Sequence, residues 1–282
     1  MSDASSFASE VLNSMGSNPP DANLHQSVHS TDWMWTVFSI MLLADLLWVF
    51  WTFKSPRNYL FHQLSIIILT VSAVAYFSMA SNLGRAPAPV EFNRSHEGPL
   101  TRDVWYVRYI QWVVNAPIEL LLIFIGTGFP LGNTFTTWFM ADAAIILCLV
   151  GSLVKSTYKW GYYTMAVCAL FYVFGSLLFS TGRKPFPSPT GRTRGPFIAT
   201  VVYLAFLWFI YPIIWALADG GNVISPTAEM VWYGIMDLLS GPVFLVFFIW
   251  SHREVELAGN TAPAVRSAKA AEAGQAGETG AV

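Results

Sequence analysis

Charge is what this sequence has least of: 11% of its 282 residues are Asp, Glu, Lys or Arg, against roughly 25% in a soluble domain. That shortage excludes an ordinary soluble protein. The balance is slightly acidic, with 15 Lys and Arg against 17 Asp and Glu. No basic surplus exists to neutralise a nucleic-acid backbone, and neither zinc-finger nor phosphate-loop spacing occurs, so nucleic acid is excluded as a partner. The two cysteines, Cys148 and Cys168, both fall in apolar runs; they read as small packing residues and give no disulfide framework. No metal-ligand cluster, nucleophile elbow or nucleotide loop is present, so neither a metal site nor a catalytic residue is assigned and the chain does not read as an enzyme. His62 has no other histidine close to it in sequence and reads as a packing or interfacial residue.

Apolar residues are abundant instead, at 54% of the chain with 16% aromatic. A bilayer core about 30 Å thick needs about 20 mainly apolar helical residues. Seven such runs occur, over approximately 33 to 53, 60 to 82, 104 to 126, 135 to 154, 160 to 180, 196 to 218 and 228 to 250. No ten-residue alternating strands of a barrel are visible, and unpaired backbone cannot face lipid, so the expected fold is all-α, a seven-transmembrane helix bundle. Residues 1–30, acidic and rich in Ser and Asn with no Lys or Arg, read as an extracellular N-terminal tail and not as a signal peptide. The bundle is expected over 31–252, and 253–282, rich in Ala, Gly and Glu, as a disordered cytoplasmic tail.

With the N-terminus outside, the cytoplasmic connections and tail hold nine Lys and Arg and the outer side five, which favours N-out and C-in. The triplet Asn93-Arg94-Ser95 then lies outside, where it could accept a glycan.

Charges inside a bilayer cost at least a few kcal/mol each and require a partner or a cavity. Asp45, Arg108, Glu119, Asp142 and Asp237 stand out within the spans. Arg108, Gln111 and Asn115 follow at steps of three and four, a polar stripe pointing into the bundle. Trp208, Tyr211, Pro212 and Trp215 form a ridge of rings around a proline kink, which aromatic core packing explains equally well. Asp237 sits one turn before Gly241 and Pro242; a glycine there could also serve only to let two helices approach closely.

Four strings make the chain recognisable: AYFSMASNLG (75–84), VRYIQWVVNAP (107–117), LWFIYPIIWALADG (207–220) and MDLLSGPVF (236–244). In this order within seven spans they resemble the microbial (type 1) opsins, most of all their fungal branch, from about 30 to 252. In that family the bundle encloses retinal, bound as a protonated Schiff base to a span-seven lysine, beside carboxylate counterions and between aromatic rings. The resemblance implies that Trp112, Trp208, Tyr211 and Trp215 match the rings of the retinal box. It likewise matches Tyr109 and Arg108 to the residues below that box, and Asp237 to the span-seven counterion.

The departures from the family pattern decide more. The lysine position, four after Asp237, is Gly241, and span seven has no lysine at all. A Schiff base requires a primary amine, and Lys54, Lys155, Lys159, Lys184 and Lys269 are expected at membrane edges or in tails, so no covalent retinal is expected. The proton-acceptor position is Gln111, which does not titrate, and the proton-donor position is Leu122. Glu119 replaces a usually apolar residue lining the chain of the retinal. It is expected to fill part of the vacated space as a neutral acid, since burial disfavours the charged form and Arg108 is expected to be engaged by Asp237. The alternative is that Glu119 turns to polar groups of span two or four. Asp142 matches a family position that hydrogen-bonds across to span three, and Asp45 reads as a polar contact between helices.

Three functions compete. The first is a structural, stress-linked or regulatory component of the plasma membrane, acting through a membrane protein partner or a homo-oligomer, a role the resemblance to lysine-less fungal members implies only loosely. The second is a sensor or carrier holding retinal or a related apolar small molecule noncovalently between the retained rings. The third is a passive proton or ion pathway through Arg108, Gln111, Asn115, Glu119 and Asp237, which the apolar run Leu120 to Phe124 interrupts. Infrared spectroscopy tests the neutral acid: the wild-type protein shows a protonated-carboxyl band that Glu119→Gln removes, and an unchanged band in that variant would refute it.

Overall fold

The computed structural model describes residues 14–54, 59–94, 100–125, 129–182 and 194–251. Among them are seven helices long and apolar enough to cross a membrane: Val28–Lys54, Tyr59–Ala80, Tyr106–Phe124, Leu131–Leu153, Lys159–Thr181, Gly195–Gly220 and Pro226–Ser251, hereafter spans one to seven. Consecutive spans pack on each other and span one packs on span seven, closing the ring. Lipid-facing side chains such as Leu43, Leu46 and Phe50 are exposed, whereas Met34, Val37 and Met41 of the same helix are buried in the core. Span one begins five residues earlier than its apolar run predicts. Ser27 supplies the reason, because its hydroxyl accepts from the Ser30 backbone N–H (3.3 Å) and caps a polar first turn.

The N-terminal reading needs correction. Residues 14–30 are not a tail: they contain a short helix, Ser14–Ser17, and the first turn of span one, and they pack onto the end of the bundle. Gln26, fully buried, donates to the Met79 carbonyl (3.3 Å), which also accepts the Asn82 backbone N–H, and to Asn82 Oδ1 (3.2 Å), fastening this segment to the end of span two. The Ser27 backbone N–H donates to Thr227 Oγ1 (3.0 Å), joining the chain start to span seven. Residues 1–13 and the expected tail 253–282 lie outside the described residues, as does Ser95 of the candidate glycan triplet.

Between spans two and three the chain forms an antiparallel hairpin of β1 (Ala86–Pro89) and β2 (Thr101–Val104), with Ala86 opposite Val104. Leu24 adds a parallel bridge to Arg102. Four-residue strands, one of them carrying two prolines, give no periodic signal, so the sequence shows only a connection here.

Two π-helical turns interrupt the last spans, Ala216–Gly220 and Leu239–Val243. The first is closed by Gly221 N–H to Ala216 O (2.8 Å) and brings Asp219 to the inside, where it is 6% exposed.

Close helix approach is required at Gly234 and not at Gly241. A Cβ on Gly234 would collide with Trp33 Nε1 and come within 3.2 Å of Val37 Cγ2, whereas one on Gly241 would meet Met41 Cε at 3.5 Å, an ordinary contact. Gly234→Ala is therefore expected to destabilise the bundle by about 1–3 kcal/mol through overpacking, and Gly241→Ala to change it by less than about 0.5 kcal/mol. Thermal unfolding in lipid nanodiscs checks the pair, and equal melting temperatures for the two variants would contradict this packing.

Candidate functional site

Spans three to seven enclose a cavity of ≈ 120 Å³. Its apolar walls come from small residues, Ala116 on span three, Ala141 and Ala144 on span four and Ala166 on span five, together with Leu170. Five of the residues assigned to the ring box line it: Tyr109, Trp112, Trp208, Tyr211 and Trp215. Glu119 and Gly241 do not border it.

The rings lie against each other. Trp112 meets Trp208 edge-to-face at 6.1 Å and Tyr211 at 4.8 Å, while Trp215 stacks on Tyr163 at 5.1 Å. Glu119, 1% exposed, turns neither to span two nor to span four: its Oε2 accepts the Trp208 indole N–H (3.1 Å) and so anchors that ring from span three. A carboxyl group at 119 thus acts on the box by holding one of its walls.

Asp237 is the charge that acts most strongly on Arg108, as expected, but the two form no direct ion pair. Both Asp237 oxygens are taken by phenols, Oδ2 by Tyr76 (2.6 Å) and Oδ1 by Tyr211 (2.5 Å). No described carboxylate lies within ion-pair distance of Arg108, whose guanidinium instead lies 3.2 Å above the centre of the Tyr233 ring. Gln111 and Asn115 turn to span two and donate to Ser72 Oγ at 3.3 and 2.9 Å, and Leu122 is wholly buried. The bond expected from Asp142 to span three is not observed: its Oδ1 is buried without a hydrogen-bond partner. Asp45 does bridge helices, accepting from Thr70 of span two (2.9 Å). His62 packs against Trp48 with 2% exposure.

A second polar cluster escapes the list of in-span charges. Arg102 on β2 reaches into the bundle, 2% exposed, and pairs with Glu229 (2.6 Å) and Asp219 (3.8 Å) while donating to Asn222 Oδ1 and Ile224 O, both at 2.8 Å. Burial alone would lower the Arg102 pKa, but Glu229 and Asp219 outweigh it and hold the guanidinium above its ordinary value. Asp219 Oδ2 also accepts from Ser152 (2.7 Å) and Tyr109 (2.9 Å). Lys159, expected only at a membrane edge, is 1% exposed and donates to the Asp219 carbonyl (3.1 Å). The available signal was Glu229, an acid inside the seventh apolar run, which needed a cation, and the hairpin delivers Arg102. Arg102→Met leaves two buried carboxylates without their cation and is expected to cost about 3–5 kcal/mol; a melting temperature within 2 °C of wild type would show that the cluster is not structural.

The sequence profile of the bacteriorhodopsin-like protein family matches residues 28–254. Among curated proteins, protein FDD123 of Trametes versicolor is 50% identical over 242 residues, covering 86% of this chain and 84% of that protein. The 30 kDa heat shock protein of Saccharomyces cerevisiae is 31% identical over 248 residues, covering 79% and 73%. Among solved structures, the light-driven proton pump Coccomyxa subellipsoidea rhodopsin CsR is similar with TM-score 0.73 and 31% identity, over 81% of this chain and 99% of that one. Seven spans closed around a ring-lined cavity, a profile match across the whole bundle and half-identity to a fungal relative place this chain in the bacteriorhodopsin-like family, on its fungal opsin-related branch.

Proposed function

We propose that this protein is an opsin-related membrane component that forms no covalent retinal pigment and pumps no protons. In this reading it serves a structural, stress-linked or regulatory role in the plasma membrane, with its N-terminus outside, and is not an enzyme. The observation that carries the reading is the closed contact between Trp112 and Trp208 in a bundle whose seventh span has no lysine.

The residues present do not fit retinal. A polyene between two ring faces needs about 7 Å, twice the roughly 3.5 Å spacing of carbons in contact, and the two indoles stand 6.1 Å apart in an edge-to-face arrangement. The cavity of ≈ 120 Å³ is smaller than the roughly 300–1,000 Å³ of drug-sized ligand sites. The buried amine of Lys159 is spent on a backbone carbonyl. Gln111 offers no titratable group beside Asp237, and Leu122 none further along span three, which supports the absence of a pumping path. The kinship to a protein named for heat shock supports the stress-linked form of the reading.

Titration of the purified protein with all-trans retinal tests it. No saturable visible band is expected, and acid denaturation should trap no adduct; a trapped adduct, on Lys159 or elsewhere, would overturn the proposal. Gly241→Lys alone is expected to stay colourless, because Glu119 still holds Trp208 against Trp112. Adding Glu119→Leu should release that ring and permit a visible band. Colour in the single variant would show that the slot is already open.

A further inference from the structure

The cavity is apolar on one side and rich in unspent donors on the other. Trp105 Nε1, Arg108 Nη1 and Trp112 Nε1 are all buried without a hydrogen-bond partner, and all three residues line it. Arg108 is 6% exposed. Asp237 is bound by two phenols, and Glu229 and Asp219, which also line the cavity, belong to the Arg102 cluster, with Asp219 Oδ2 taken by Ser152 and Tyr109 and Oδ1 without a hydrogen-bond partner. Asp237 acts on the guanidinium electrostatically but not at ion-pair distance, a costly state for a buried cation, and three unpaired N–H donors on residues of one cavity suit an acceptor-only group, the carboxylate above all. The opposite walls, Ala116, Ala141, Ala144 and Leu170, offer no polar side chain. A cavity of about 150 Å³ holds one benzene ring, and this one is slightly smaller.

We propose that this cavity is a binding site for a small carboxylic acid with a short or small-ring apolar body, its carboxylate held by Arg108 and the indole N–H groups of Trp105 and Trp112. The site differs from a polyene slot in length and in polarity. It is read without retinal, so its failure and the failure of the non-pigment reading are separate results.

Cyclopropanecarboxylate is a suitable probe, having one three-membered ring, one carboxylate, no more heavy atoms than benzene and no near-ultraviolet absorption. The full chain in phosphatidylcholine nanodiscs is titrated with it by calorimetry and by tryptophan fluorescence, with empty nanodiscs subtracted. Acetate supplies the charge alone and methylcyclopropane the ring alone. Saturable binding is expected, with each control weaker by at least about tenfold, the factor that one charge-assisted hydrogen bond supports. Arg108→Gln should weaken the acid by about tenfold or more while leaving methylcyclopropane unchanged. Ala144→Leu, which keeps Arg108 and fills the apolar end, should abolish the ring's contribution and serves as the second variant should Arg108→Gln fail to fold. No saturable binding, acetate equal to the probe, or unaltered affinity in Ala144→Leu would each overturn the proposal.

Discussion

The arrangement depends on one buried ion cluster. Arg102 leaves a β strand at one end of the bundle and places its guanidinium between Glu229 of span seven and Asp219 of the π turn ending span six. A low-dielectric interior makes that triad expensive to assemble and more expensive to break, because removing one member strands the rest. Through it the hairpin, span six and span seven are held in one register. Lys159 and Ser152 then tie spans five and four to the same carboxylate residue.

Once those carboxylates are committed, the remaining charges follow by elimination. Asp237 has Tyr76 and Tyr211 within reach and takes both hydroxyls. Arg108 is left with a ring face and a cavity, and its Nη1 has no hydrogen-bond partner. At the other end of the same helix Glu119 acts on a ring and not on a charge. A single helix thus presents a cation to one end of the cavity and steadies an indole at the other.

Much of this was legible in the chain. Seven apolar runs were visible because the thickness of a bilayer sets a length that side-chain packing cannot alter. Trp208, Tyr211 and Trp215 were legible as one ridge because helical steps of three and four keep them on one face, while Tyr109 and Trp112 were legible through the resemblance to the opsin family. What escaped depended on events outside any one helix. The hairpin gives no periodicity, Arg102 enters the bundle from it, and the π turn at Ala216–Gly220 shifts the face on which Asp219 falls. The pairing expected between Arg108 and Asp237 failed for a related reason: nothing in the spacing of span seven tells that Tyr76, on span two, competes for the same carboxylate.

The bond from Ser27 to Thr227 links residues 200 positions apart, and Leu24 and Gln26 reach partners in the hairpin and in span two. Met79, Asn82 and Arg102 precede residue 227 in the chain, so the partners of Leu24 and Gln26 exist before the seventh helix does. The bond from Ser27 to Thr227 forms only when span seven has come round to span one. The segment before span one is therefore fastened in two stages, first to the hairpin and the end of span two and only then to the last helix.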